Sequence, residues 1–206
     1  MPIEIQEYNL PDIEIFNNPR SDFDFIIWQP NKTYLVLGQS NKIEESLFSG
    51  NVEIACAPVL KRPSGGETVI LTPNTLVISA VIIDKGIKKP HNYFVFFNNI
   101  IINGLLQAGI KNVVPKGISD LTIDNKKISG SSIYHKKDKI FFQSVLNVSE
   151  SNENIVKYIK HPKREPDYRK GREHKEFITS LIQHHADFTI DNLIKCLSCE
   201  FIPCVK

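Results

Sequence analysis

Apolar runs rich in β-branched residues recur along the first half of the chain, each closed by Pro, Asn or Gly. They are DFIIW from Asp24 to Trp28, TYLVLGQS from Thr33 to Ser40, and TLVISAVII from Thr75 to Ile83. Runs of this length and composition predict strands, and the three read as members of one sheet. The pattern then changes. Between Asn92 and Ala108 the sequence NYFVFFNNIIINGLLQA has no internal proline and is too long for a strand, so it predicts a helix packed across that sheet, starting just after Pro90. Strands return in LTID, KKISGSSIYH and KIFFQSVLNV, separated by Asp124 with Asn125 and by HKKD. That turn chemistry predicts an antiparallel meander of three strands.

The last third is patterned differently. From Lys157 to Lys175, KYIKHPKREPDYRKGREHK holds eight Lys or Arg against three Asp or Glu and shows no apolar periodicity, so it predicts a basic surface loop. Beyond it, Phe177, Ile178, Leu181 and Ile182 fall on one side of a helix. Ile190, Leu193, Ile194 and Leu197 fall on one side of a second, with Thr189 as its N-cap. No repeat, low-complexity tract or linker divides the chain.

Composition narrows the class. With 206 residues, 41% of them hydrophobic and 23% charged, the chain is expected to form one domain over 1–206. A net charge of +2 supplies no basic field of the kind a nucleic-acid partner needs. MPIEIQEYNLPDIEIF carries acids and prolines where a signal peptide needs a basic start and an apolar run, and no stretch reaches membrane-span length. A cytoplasmic protein without a membrane partner is the expectation. Cys56, Cys196, Cys199 and Cys204 do not form the evenly spaced framework of a secreted scaffold and read as reduced thiols. Cys56 is expected to be a small core residue. Cys196 with Cys199, near His184 and His185, lacks a second matching pair and reads as packing, not as a metal site.

Two stretches carry chemistry. In KRPSGGETVILTPNTL, Lys61 to Leu76, a basic residue runs into Ser64, Gly65 and Gly66, whose backbone can approach an anionic or carbonyl-bearing ligand without Cβ interference. In GISDLTIDNKKISGSS, Gly117 to Ser132, Lys127 lies at the foot of a strand beside Gly130. Strand alternation sends Lys126 and Lys127 to opposite faces, so one of them faces inward.

The order and spacing of these stretches resemble the lipoate-protein ligase group of the biotin/lipoate ligase and octanoyltransferase superfamily. Its members show R-x-S-G-G-G-x-V, matched here by Arg62, Ser64, Gly65, Gly66 and Val69. They also show S/N-D-L-x-x-x-x-K-I-x-G-x-A, matched by Ser119, Asp120, Leu121, Lys127, Ile128, Gly130 and Ser131. The segment from Tyr158 to Leu181 is similar to one in compact members, and the resemblance runs from about Phe25 onward. It implies an α+β fold: a mixed, mostly antiparallel sheet flanked by helices, related to the class II aminoacyl-tRNA synthetase core. It also implies activation of lipoate or octanoate by ATP with Mg2+ and transfer of the acyl group to a lysine of a lipoyl domain.

On this reading Lys127 is the catalytic centre, its compact ammonium facing the adenylate phosphate and the acyl carbonyl. Arg62 assists at the phosphate, and Ser64, Gly65, Gly66, Glu67, Thr68, Val69, Asp120 and Gly130 line the acyl and adenylate groove. Asp120 is expected to be structural, at the start of its strand. Arg169, Arg172 and His174 of the basic loop are expected to steer an acidic partner.

Departures from the family pattern keep two alternatives open. Glu67 replaces a third glycine, Leu71 a common histidine, and Phe142, Gln143 and Ser144 the usual H-G-T. No accessory C-terminal domain is expected within the chain. Either a separate subunit supplies that part, or the protein starts from an activated acyl group, as an octanoyltransferase fed by acyl carrier protein through a cysteine thioester does. A non-catalytic acyl binder is the other alternative.

Overall fold

The computed structural model describes residues 3–84, 86 and 89–204. Met1 and Pro2 of the N-terminal stretch, and Val205 and Lys206 after FIPC, lie outside the described residues. In chain order the elements are β1 (Ile5–Glu7), α1 (Asp12–Asn17), β2 (Phe23–Trp28), β3 (Tyr34–Leu37), α2 (Ile43–Ser46), α3 (Ser49–Ala55), β4 (Val59–Lys61), β5 (Val69–Leu71) and β6 (Thr75–Ile83). Then follow α4 (Pro90–Gln107), β7 (Val114–Lys116), β8 (Asp120–Ile123), β9 (Lys126–Lys136), β10 (Lys139–Asn147), α5 (Asn152–Tyr158), α6 (His174–Phe177) and α7 (Ile190–Phe201).

Two sheets form instead of one. The larger has the order β2-β6-β10-β9-β8-β7 and is antiparallel throughout. The smaller has the order β1-β4-β3-β5, with parallel pairs on both sides of β4. The expectation that Thr33–Ser40 joins Asp24–Trp28 and Thr75–Ile83 is therefore corrected, because β3 pairs with β4 and β5. The meander holds as expected, and Asp124 and Asn125 take φ values of 49° and 62°, the left-handed conformation of a two-residue hairpin turn.

Period-two alternation gives the large sheet two apolar faces. Leu76, Ile78, Ala80, Phe142 and Leu146 turn toward α4 and α7, where Phe97 stacks on Phe142 at 4.2 Å between ring centroids. Val77 and Val145 turn the other way, against Val36, Leu60 and Leu71 of the small sheet, while α1 packs Ile15 and Phe16 on Val81 and Phe141. Leu35, Leu37, Val59 and Ile70, on the outer face of the small sheet, are covered by Val52 of α3 and by Ile155 and Tyr158 of α5. The layers are thus helices, large sheet, small sheet, helices.

The Thr189 hydroxyl accepts from the Asn192 amide at 3.1 Å and caps α7 as expected. The preceding expected helix is not continuous. Only α6 and a single 3₁₀ turn at Leu181–Gln183 form, so Ile182 is 52% exposed while Phe177 and Leu181 are buried.

Candidate functional site

The groove of about 1080 Å³ between the two sheets is lined at once by Gly66 to Val69 of the glycine loop, by β9 and by the basic segment, whereas Ser64 and Gly65, expected to line it, do not. Its apolar wall is Val36, Ile70, Leu71, Val77 and Val145. Its polar end contains Lys127, Asp120, Gly130 and Ser132.

Lys127 reaches this face through a fault in the strand. Counted by simple alternation, Lys127 would share a face with Ser129 and Ser131, pointing at the helices and away from Gly130. The pairing register shifts, however: Leu121 faces Ser129, yet Thr122 faces Lys127, and Ile128 is left without an opposite number. A bulge of this kind reverses alternation. Ile128 turns into the helix-side core, 1% exposed, and Lys127 joins Asp120 and Gly130 on the groove face. Its Nζ lies 2.8 Å from Asp120 Oδ1, and a Cβ on Gly130 would stand 2.6 Å from that Nζ. Gly130 is therefore the floor on which the lysine side chain rests. Asp120, 5% exposed, does more than shape the strand, since its Oδ2 also accepts from the Tyr168 hydroxyl at 2.8 Å.

Across the groove, Arg62 is 6% exposed and its guanidinium is committed to its own loop. Its Nε donates to Ser64 Oγ at 2.9 Å, Nη1 to the Val36 carbonyl at 3.3 Å, and Nη2 to the carbonyls of Gly65 and Glu67 at 2.7 and 2.9 Å. Burial pulls its pKa down to about 10, which leaves it charged at neutral pH. These bonds give Arg62 a scaffolding role beside the groove that it lines: it folds the loop that presents Gly66. Gly66 takes a φ of 90°, and its carbonyl oxygen would be 1.9 Å from a Cβ on Gly38. This close approach makes Gly38, which sequence reading passed over, part of the loop's seat. Thr68 is buried and Val69 half-buried beside it, and Glu67 lines the groove.

Sequence reading also missed what lies beneath the loop. Ser64, fully buried, contacts Ser132 Oγ at 3.0 Å and donates to Gln143 Oε1 at 3.1 Å. Gln143 Nε2 donates to the Tyr8 hydroxyl and to Asp12 Oδ2, and Asp12 also accepts from Tyr8 and Ser79. Burial raises the pKa of Asp12 above its ordinary value despite these donors. A buried carboxylate is thereby linked to the buried Arg62 through two uncharged side chains, which satisfies both.

The basic segment is not the solvated loop its composition suggests. Arg169 is 3% exposed; it packs over the Phe177 ring at 4.7 Å and pairs with Glu165 at 3.4 Å. Arg172 donates to the carbonyls of Asn125 and Tyr168 and also covers Phe177. His174 is buried, with Nε2 at 3.1 Å from the Lys160 carbonyl and Nδ1 unpartnered. Stacking on Phe177 and carbonyl hydrogen bonds thus draw these three residues, expected to steer a partner, into the fold. The expectation for Cys56 is corrected: it is exposed, in a left-handed conformation at the end of α3.

The family model for the lipoyl protein ligase A/B catalytic domain matches residues 2–202, reaching further toward the N-terminus than the expected start at Phe25. Lipoate-protein ligase LplJ of Bacillus subtilis is 27% identical over 136 residues, which are 66% of this chain and 40% of that relative. The chain thus spans less than half the length of that curated relative. Among solved structures, lipoate-protein ligase A bound with ATP matches with a TM-score of 0.79 at 16% identity, covering 98% of this chain and 83% of the other. The bi-partite lipoate protein ligase of Thermoplasma acidophilum, described with its E2 lipoyl domain, matches with the same TM-score, identity and coverage. At such identity the structural likeness establishes the fold, α+β with an antiparallel sheet flanked by helices. Together with the match of the family model over nearly all its residues, this places the chain in the lipoyl protein ligase A/B catalytic domain family.

Proposed function

We propose that this domain activates the carboxylate of lipoate or octanoate with ATP and passes the acyl group to a lysine of a lipoyl domain. The observation that carries this reading is Lys127, held on Gly130 at the polar end of a groove whose other wall is apolar and whose rim is the loop from Gly66 to Val69. An acyl tail fits the apolar part, and backbone N–H groups with an ammonium fit the charged part. Family membership supports the reading, as do the ATP and the E2 lipoyl domain named for the two structural neighbours.

In the first step a carboxylate oxygen attacks the α-phosphorus of ATP, the bond to the bridging oxygen breaks and pyrophosphate leaves. In the second the acceptor amine attacks the acyl carbon, the C–O bond to AMP breaks and the amine gives up a proton. Lys127 stabilises negative charge on phosphate and carbonyl oxygens in both steps. Mg2+ is ordinarily held by one or two carboxylates and the phosphates themselves.

A thioester transferase needs a thiol beside Lys127. None of the four cysteines lines the groove, and burial raises the pKa of Cys204, the reverse of activation. The test is mass spectrometry of a lipoyl domain incubated with the protein and either octanoate with Mg-ATP or octanoyl-carrier protein alone. Acylation with ATP only is expected; acylation from the thioester only would transfer the proposal to the transferase.

A further inference from the structure

The hydroxyl of Tyr168 occupies the second oxygen of the carboxylate that holds Lys127. Asp120 Oδ1 faces Lys127 Nζ at 2.8 Å, and Oδ2 accepts from Tyr168 at 2.8 Å. A carboxylate bonded at both oxygens is held against rotation, which favours the ammonium position above Gly130.

The aromatic ring of Tyr168 is anchored independently of its hydroxyl. It packs 5.2 Å from Phe177. The backbone is held as well: Arg172 donates to the carbonyl of Tyr168 and to that of Asn125, in the turn joining β8 to β9. Downstream, the Thr179 amide donates to the Lys127 carbonyl at 2.9 Å. The segment is thus clamped to the hairpin that bears Asp120 and Lys127, and the hydroxyl is not needed to dock it. Burial pushes the phenol pKa far up, so it stays a donor throughout the working pH range.

We infer that Tyr168 is a positioning residue for Lys127, acting through Asp120. The inference rests on the proposed function only in taking Lys127 as the catalytic centre. It gives the segment between α5 and α6 a role inside the site.

The test compares the reactivity of Lys127 with that of Lys126, its exposed neighbour, by limiting acylation with an amine-directed reagent and peptide mass spectrometry. Tyr168→Phe is expected to raise the Lys127 to Lys126 ratio several-fold with an unchanged circular dichroism spectrum. Asp120→Asn is expected to do the same, and the double variant to go no further than Asp120→Asn alone. In turnover, Tyr168→Phe should lower kcat for acyl-adenylate formation by roughly 10- to 100-fold, the range seen when an outer hydrogen-bond partner is lost, with KM little changed. An unaltered labelling ratio in Tyr168→Phe, or an equal effect of that change with and without Asp120, would overturn the inference. A wild-type protein that fails to exchange pyrophosphate into ATP would count against the proposed function, while the labelling ratio still decides the role of Tyr168.

Discussion

Lys127 and Gly130 have to be considered together. Lys127→Ala removes the ammonium and, on the proposed function, should reduce acyl activation by about 10²–10³-fold, the usual cost of losing a preorganised charge-stabilising group. Its melting midpoint should stay near that of the wild type, since the side chain is 30% exposed. Gly130→Ala should also lose activity while remaining folded, because the new Cβ meets the flexible end of Lys127 closer than 3 Å and displaces it, while Asp120 Oδ1 at 3.4 Å stays at ordinary contact distance. Gly38→Ala makes the contrast. Its Cβ would strike the backbone carbonyl of Gly66, which cannot swing aside, so a loss of at least about 1–3 kcal/mol is expected in chemical denaturation. Equal stability of Gly38→Ala and Gly130→Ala would contradict this reading. The motif spacing singled out Lys127, Gly65 and Gly66. It gave no hint of Gly38, whose role depends on a loop that folds back from twenty-eight positions later.

Among the elements, those built on local periodicity were legible: β6, α4, α7 with its Thr189 cap, and the β8–β9–β10 meander. The segment from Lys157 to Thr179 was not, because its order comes from contacts distant in sequence. Phe177 is covered by two arginines, and the Lys127 carbonyl receives the Thr179 amide. Charge density signalled a loop where tertiary partners made a fixed strap.

The strap should be sensitive to acid. Burial, together with the nearby charges of Arg169 and His161, lowers the pKa of His174 below 6.5, against the opposing effects of the Lys160 carbonyl and Glu173. The unfolded chain therefore binds the proton more readily. The contribution of neutral His174 to stability is complete above about pH 6.5 and is lost as pH falls below that value. The protection factors of residues 160–179 in hydrogen exchange, taken relative to the intrinsic rate at each pH, should fall as pH drops below about 6.5 in the wild type, and less steeply in His174→Gln. Identical pH profiles for the two proteins would remove histidine from the account.

At the scale of the molecule, the groove exists because two sheets face one another, and the Asp12 network is what ties them together. Tyr8 and Asp12 come from the N-terminal segment, Ser79 and Gln143 from the large sheet, and Ser64 and Arg62 from the loop of the small one. Since burial raises the carboxyl pKa of Asp12 above 3.8, the folded state holds that proton more tightly than the unfolded state. The resulting stabilisation is complete below about pH 3.8 and is lost as pH rises through the folded-state value. The melting-midpoint advantage of the wild type over Asp12→Asn should accordingly shrink as pH rises above about 3.8. A constant difference would mean that Asp12 titrates as it does in the unfolded chain.

By itself the sequence determined the fold class, the strands and helices with strong local period, the two motifs and the family they resemble. These depend on residue spacing within single elements, which the chain carries from end to end. Only the tertiary structure decided that the strands divide into two sheets, that Arg62 seats the loop, that Tyr168 reaches Asp120, and that a bulge of one residue turns Lys127 into the groove. The reason is physical. Hydrophobic period specifies which face of an element is buried. Register, bulges and the partner of a buried charge are settled by side chains far away in sequence, each requiring a hydrogen bond once water is excluded.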